Sequence, residues 1–128
     1  MKVKIDTKEK FNVLTLQDTI LSANMTEELN QLLLSFLKKN NKSIVLKMGT
    51  INEIDDVVAN SLLSIQQKFY SENASFVICE IGPSLEQYLK NLKIFQMMNI
   101  TPTESEAGDI VQMEEIEREL DSPIPKRE

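Results

Sequence analysis

At 128 residues and 14.6 kDa the chain has the size of one ordinary domain, able to hide roughly two-thirds of the surface its unfolded form would expose. A hydrophobic share of 41% and a charged share of 27% are globular values, and nowhere do the roughly 20 apolar residues of a membrane helix run together. With no histidine, one cysteine and three glycines, the chain lacks the means for Ser-His-Asp or Cys-His nucleophiles, thiolate metal sites and Rossmann or phosphate-binding loops, while a net charge of -6 disfavours nucleic acid.

One cysteine leaves no internal disulfide. The charged start Met1-Lys-Val-Lys-Ile-Asp6 has no apolar signal core behind it. Both features point to a reducing cytoplasm. The charge is uneven: eight acids against Arg118 alone lie between Glu104 and Asp121, and the remaining residues sum to +1. Such a run reads first as a solvated helix face, with an acidic docking surface as its rival.

In chain order, Val3 and Ile5 alternate with Lys2, Lys4 and Asp6 as a half-buried strand, and a polar break follows at residues 7–10. Phe11 to Leu16 is a second strand, with Phe11, Val13 and Thr15 on one face, and a hairpin joins the two. Residues 17–24 read as a loop, and Asn24, three residues before Glu27, has the spacing of a capping box. Leu29, Leu32, Leu33, Phe36 and Leu37 give a helix over residues 26–39. Ile44 to Met48 is an apolar strand of the kind covered on both faces, and residues 49–53 are a loop.

Asp55 or Asp56 then caps a helix reaching Tyr70, with Val58, Leu62, Ile65 and Phe69 as its stripe. After a turn at residues 71–74, Phe76 to Cys79 is a second apolar strand. Gly82-Pro83 opens a helix carrying Leu85, Tyr88, Leu89 and Leu92. Residues 99–101 form a short edge strand. Asp109 caps a last helix with Ile110, Met113, Ile116 and Leu120 as its stripe, and residues 121–128, with two prolines, form a flexible tail. The order ββαβαβαβα predicts a single α/β domain over residues 1–120, with a mixed sheet of four to five strands and four helices.

The segment from Ile44 to Leu63, with its apolar strand, loop, Ile54-Asp55-Asp56-Val57-Val58-Ala59-Asn60 and leucine-rich helix, resembles the STAS domain of bacterial anti-sigma factor antagonists. Phe76 to Pro83 and Leu85 to Ile94 resemble that family's next strand and helix, so the likeness spans residues 3 to 120. It implies a non-enzymatic regulator whose partner is an anti-sigma factor or a related ATPase-fold signalling protein. With the composition, which argues against a metal, nucleic acid and membrane insertion, the expectation is no cofactor and a protein partner, with room for a weak homodimer. The alternative is a small STAS subunit of a larger assembly, such as a lipid-transport ABC ATPase or a stressosome-like scaffold.

In the family a serine at the helix start is phosphorylated, and a phosphoryl group there meets free N–H groups and the positive end of the helix dipole. Val57 occupies that position here, Asp56 replaces the preceding serine, Val58 replaces a glycine, and Asp55 alone keeps the family's residue. Regulation by serine phosphorylation at this site is therefore not expected. By the same resemblance Ser22 falls near a position where the family often has aspartate. The interface implied comprises Ser22, Asn24, Asp55, Asp56, Val57, Val58 and Asn60.

Three readings of Asp55-Asp56 stay open: a helix cap, a fixed charge imitating the phosphorylated state, and an acidic contact for a basic partner. Consecutive Val57 and Val58 lie about 100° apart, so one of them should reach the surface. Cys79 reads as an inert buried thiol, Met97 and Met98 as packing beneath the sheet edge, and Glu114-Glu115 as solvated.

Overall fold

Ile44, Leu46, Phe76 and Ile78 face one side of a sheet while Val45, Val77 and Cys79 face the other, and both sides are covered by helices. That arrangement removes any polar alternation from the two central strands. The computed structural model describes residues 1–120. Its main sheet has the order β1-β2-β4-β6-β7, formed by Val3–Thr7, Asn12–Leu16, Ile44–Lys47, Phe76–Cys79 and Ile100–Thr101. β1 runs antiparallel to β2, and every other pairing is parallel. The helices are α1 (Thr26–Ser35), α2 (Asp56–Ser71), α3 (Pro83–Lys90) and α4 (Glu104–Leu120). The fold is the expected mixed sheet of five strands with four helices.

The larger core joins Leu14 and Leu16 of β2 to Leu29 and Leu33 of α1, Val58, Leu62, Ile65 and Phe69 of α2, and Leu85 and Leu89 of α3. Phe69 and Phe76 meet as a tilted pair with ring centroids 5.3 Å apart. Each such side chain contributes about 1.5–3 kcal/mol by leaving water. On the opposite face the centre is built of small residues: Ala107 and Val111 of α4 pack on Val13, Val45, Val77 and Cys79, with Phe11 and Ile110 beside them. Gly108 marks the closest approach, since a Cβ there would stand 3.0 Å from the Phe11 ring.

α2 is closed at both ends by local geometry. Asp55 is its N-cap residue, in extended conformation. At the far end Asn73 takes a left-handed φ of 62°, while Ala74 N–H donates to Phe69 O at 2.9 Å and Asn73 N–H to Tyr70 O at 3.2 Å. This is a Schellman motif with asparagine where glycine is commonest.

Several expectations need correction. Strand β1 continues through Thr7, and Ile5 is exposed because β1 is an edge. Residues 17–24 and 49–53 are not plain loops: Ile20–Leu21 (β3) and Glu53–Ile54 (β5) form a separate two-stranded parallel sheet. Asn24 caps nothing; it lies inside a 3-10 turn, Ala23–Met25, that leads into α1. α1 ends at Ser35 and tightens into a 3-10 turn, Phe36–Lys38.

The last helix begins at Glu104, so Asp109 lies within it rather than capping it. The N-terminal partner is Thr103, whose Oγ1 accepts the Glu106 N–H at 3.1 Å. Of its expected stripe only Ile110 packs on the core; Met113, Ile116 and Leu120 are exposed. Tyr88 and Met97 are also exposed, whereas Met98 is buried. Glu114 is half-buried and accepts hydrogen bonds from Tyr70 Oη at 2.7 Å and Ser75 Oγ at 2.6 Å. The flexible tail expected at residues 121–128 lies outside the described residues.

Candidate functional site

The loop before α1 and the loop before α2 are fastened together. Ile20 pairs with Glu53 and Leu21 with Ile54 across β3 and β5. Asn52 N–H donates to Thr19 O at 2.7 Å, and Asp55 N–H donates to Leu21 O at 3.0 Å. The ladder is only two residues long, too short to show a strand period in the sequence. Its effect is to bring Ser22 and Asn24 beside the start of α2.

The two aspartates have different tasks. No hydrogen bond runs from the Asp55 side chain to its own helix; its Oδ2 accepts the backbone N–H of Ala23 at 2.6 Å. The Asp56 carboxylate accepts the Tyr88 hydroxyl from α3, which ties a third element to the site. That hydrogen bond, with burial and the nearby aspartate charges behind it, raises the Tyr88 pKa. Both carboxylates still lie at the positive end of the α2 dipole.

Val57, the residue after Asp56, has 56% of its surface exposed, while Val58 is wholly buried in the core. Asn60, one turn on, donates through Nδ2 to Asp56 O at 2.9 Å and is exposed. The Ser22 hydroxyl donates to the Asn24 side-chain oxygen. Of the seven residues singled out in the sequence, six therefore meet at one surface, and Val58 lies beneath it.

Tyr88 and exposed Ile20 belong to this neighbourhood but were not among the candidates. Tyr88 sits at the edge of the α3 stripe, and its polar tip is the only signal that it would turn outward. The site offers an apolar knob flanked by two anchored carboxylates and a phenol. An exposed apolar side chain rimmed by polar groups has the make-up of a contact anchor. Cys79, the chain's one thiol, is fully buried, and burial pushes its pKa up to about 12, so it stays protonated at neutral pH.

The STAS-domain family model matches residues 2–107, and the chain belongs to that family. Among solved structures, an anti-sigma factor antagonist from Mycobacterium paratuberculosis aligns with a TM-score of 0.74 at 14% identity, covering 87% of this chain and 93% of that one. The phosphorylated Bacillus cell fate determinant SpoIIAA aligns at 0.61 with 13% identity, covering 86% and 99%. Part of the murine anion transporter Slc26a9 aligns at 0.71 with 12% identity, covering 84% of this chain but only 18% of the transporter. A search of curated protein sequences returns no match. At such identities the structural likeness establishes the fold. Among the described residues no helix is long and apolar enough to cross a membrane.

Proposed function

We propose that this STAS domain is a cytoplasmic, non-enzymatic regulator that works by docking, through the surface around Val57, onto an anti-sigma factor or a related ATPase-fold signalling protein. The observation that carries the reading is the exposed valine that directly follows Asp55 and Asp56, whose carboxylates are fixed from two other elements. An apolar anchor rimmed by polar groups that are already positioned loses little freedom on binding. The antagonists of similar fold support the partner class.

The start of α2 is not a phosphorylation switch in this reading. Residues 52–60 contain no Ser, Thr or Tyr, so the hydroxyl that a kinase would need is missing at the start of α2. The alternative, a subunit of a larger assembly, is not favoured over this reading: the transporter likeness rests on fold alone at 12% identity.

The test begins with affinity capture of the full chain and identification of what it retains. The purified partner is then titrated calorimetrically with the wild type, Val57→Ser and Val57→Asp. Affinity should fall modestly for serine and more for aspartate, because a desolvated charge costs more than a lost methyl contact. With the partner and ATP, residues 52–60 should stay unmodified in the wild type, while Val57→Ser becomes phosphorylated where the partner is a kinase. Equal affinities at unchanged melting temperatures would remove the surface from consideration.

A further inference from the structure

Helix α4 is apolar on two opposite sides. Ala107, Gly108 and Val111 face the sheet, and the polar link at its middle is firm: Glu114 takes two hydrogen bonds, and Arg118 donates to Ser75 Oγ at 2.6 Å. Roughly opposite lie Met113, Ile116 and Leu120, spaced three and four residues apart, with 59%, 56% and 78% of their surfaces exposed. They form one stripe about 10 Å long. By helical spacing Glu119 flanks the stripe on one side and Glu117 on the other, with Asp109 one turn before Met113, while Glu115 lies nearer the sheet and pairs with Arg118 at 3.2 Å. Ile116, Glu115 and Glu119 also line a cleft of about 400 Å³ shared with Phe11 and with Lys8, Glu9 and Lys10 of the β1–β2 turn, whose charges make the cleft itself mixed, so the acidic character belongs to the outward face. The matched part of the family model ends at Ala107, before the stripe begins.

We infer that this outward face of α4 is a second docking surface, and that it takes a basic amphipathic helix of a partner protein. The stripe supplies the spacing that a helix's apolar face reads, and the flanking acids supply the charge that Lys and Arg on that helix would meet. A second copy of this chain is a poor occupant, because α4 alone carries seven acids against one base and two such faces would repel. The chain's own last eight residues, Asp121 to Glu128, contain one large apolar residue, Ile124, against three exposed on the helix.

The probe is a synthetic leucine–lysine peptide of about four helical turns, with leucines at i, i+3, i+4 and i+7, titrated into the full chain by fluorescence anisotropy. Binding should saturate and weaken about tenfold or more in the double variant Ile116→Gln/Leu120→Gln, whose melting temperature should not change because both side chains are exposed. Glu117→Lys/Glu119→Lys should weaken it comparably by an independent route. Val57→Asp should leave it unchanged, which separates this surface from the one at α2. No binding, or wild-type affinity in either double variant, would overturn the inference. So would tighter binding to a chain ending at Leu120, which would make the last eight residues the occupant. A dimer in sedimentation that Ile116→Gln/Leu120→Gln dissolves would do the same for a second copy.

Discussion

The carboxylate of Asp55, at the start of α2, accepts the backbone N–H of Ala23 at 2.6 Å across 32 residues of sequence. A residue that reads locally as a helix cap thus spends its side chain on a neighbouring loop. Asp55→Ala should lower stability by about 1 kcal/mol, at the modest end for a charged hydrogen bond because the contact is exposed. The more specific expectation is faster hydrogen exchange at the Ala23 amide and weaker partner binding, while the amides of β4 and β6 keep their protection. Unchanged exchange at Ala23 would mean that the β3–β5 ladder alone holds the loop.

The far end of α2 gives a second expectation. Asn73 holds φ at 62°, a region where a Cβ-bearing residue without a local polar side chain is strained. Asn73→Ala should cost about 1 kcal/mol in urea unfolding, and Asn73→Gly should be neutral or stabilising. A wild-type midpoint for the alanine variant would argue that the two Schellman hydrogen bonds do not depend on the residue at the turn.

Alkaline pH should find a weak point in the core. Burial raises Cys79 from an ordinary 9.0 to about 12, and burial together with Glu114 raises Tyr70. A group whose folded pKa is raised stabilises the fold fully below its unfolded pKa and loses that contribution as pH climbs towards the folded value. Stability should therefore decline from about pH 9, by about 1.4 kcal/mol per pH unit for Cys79, with Tyr70 adding to the slope above about pH 10. Cys79→Ala, though less stable at pH 7, should show a flatter decline between pH 9 and 10. Parallel declines for the two proteins would show that the thiol does not titrate with unfolding.

The legible parts of this fold are those with enough residues to set a period. The stripe Val58, Leu62, Ile65 and Phe69 identifies α2, and the apolar runs at Ile44 and Phe76 identify the doubly covered strands. At the site, the proximity of Ser22 and Asn24 to Asp55 came from family resemblance, because the β3–β5 ladder that creates it has only two residues on each side. The hydrogen bond from Tyr88 to Asp56 joins helices separated by a strand, and no local pattern announces it. The beginning of α4 was readable in principle: Thr103 and Glu106 have capping-box spacing, and the threonine hydroxyl donates to the Glu106 carboxylate at 3.1 Å. Which face of α4 turns inward was not readable, since amphipathic counting favours the larger Met113, Ile116 and Leu120. The sheet instead selects Ala107, Gly108 and Val111, because close approach at Phe11 leaves room only for small side chains.

That two-sided helix separates what the fold requires from what a partner would read. Substitutions at Met113, Ile116 or Leu120 can accumulate without disturbing Val45, Val77 or Cys79 beneath the opposite face. The outward stripe of α4 can thus drift in sequence, and acquire or lose partners over evolutionary time, while the inward one is held fixed by the sheet.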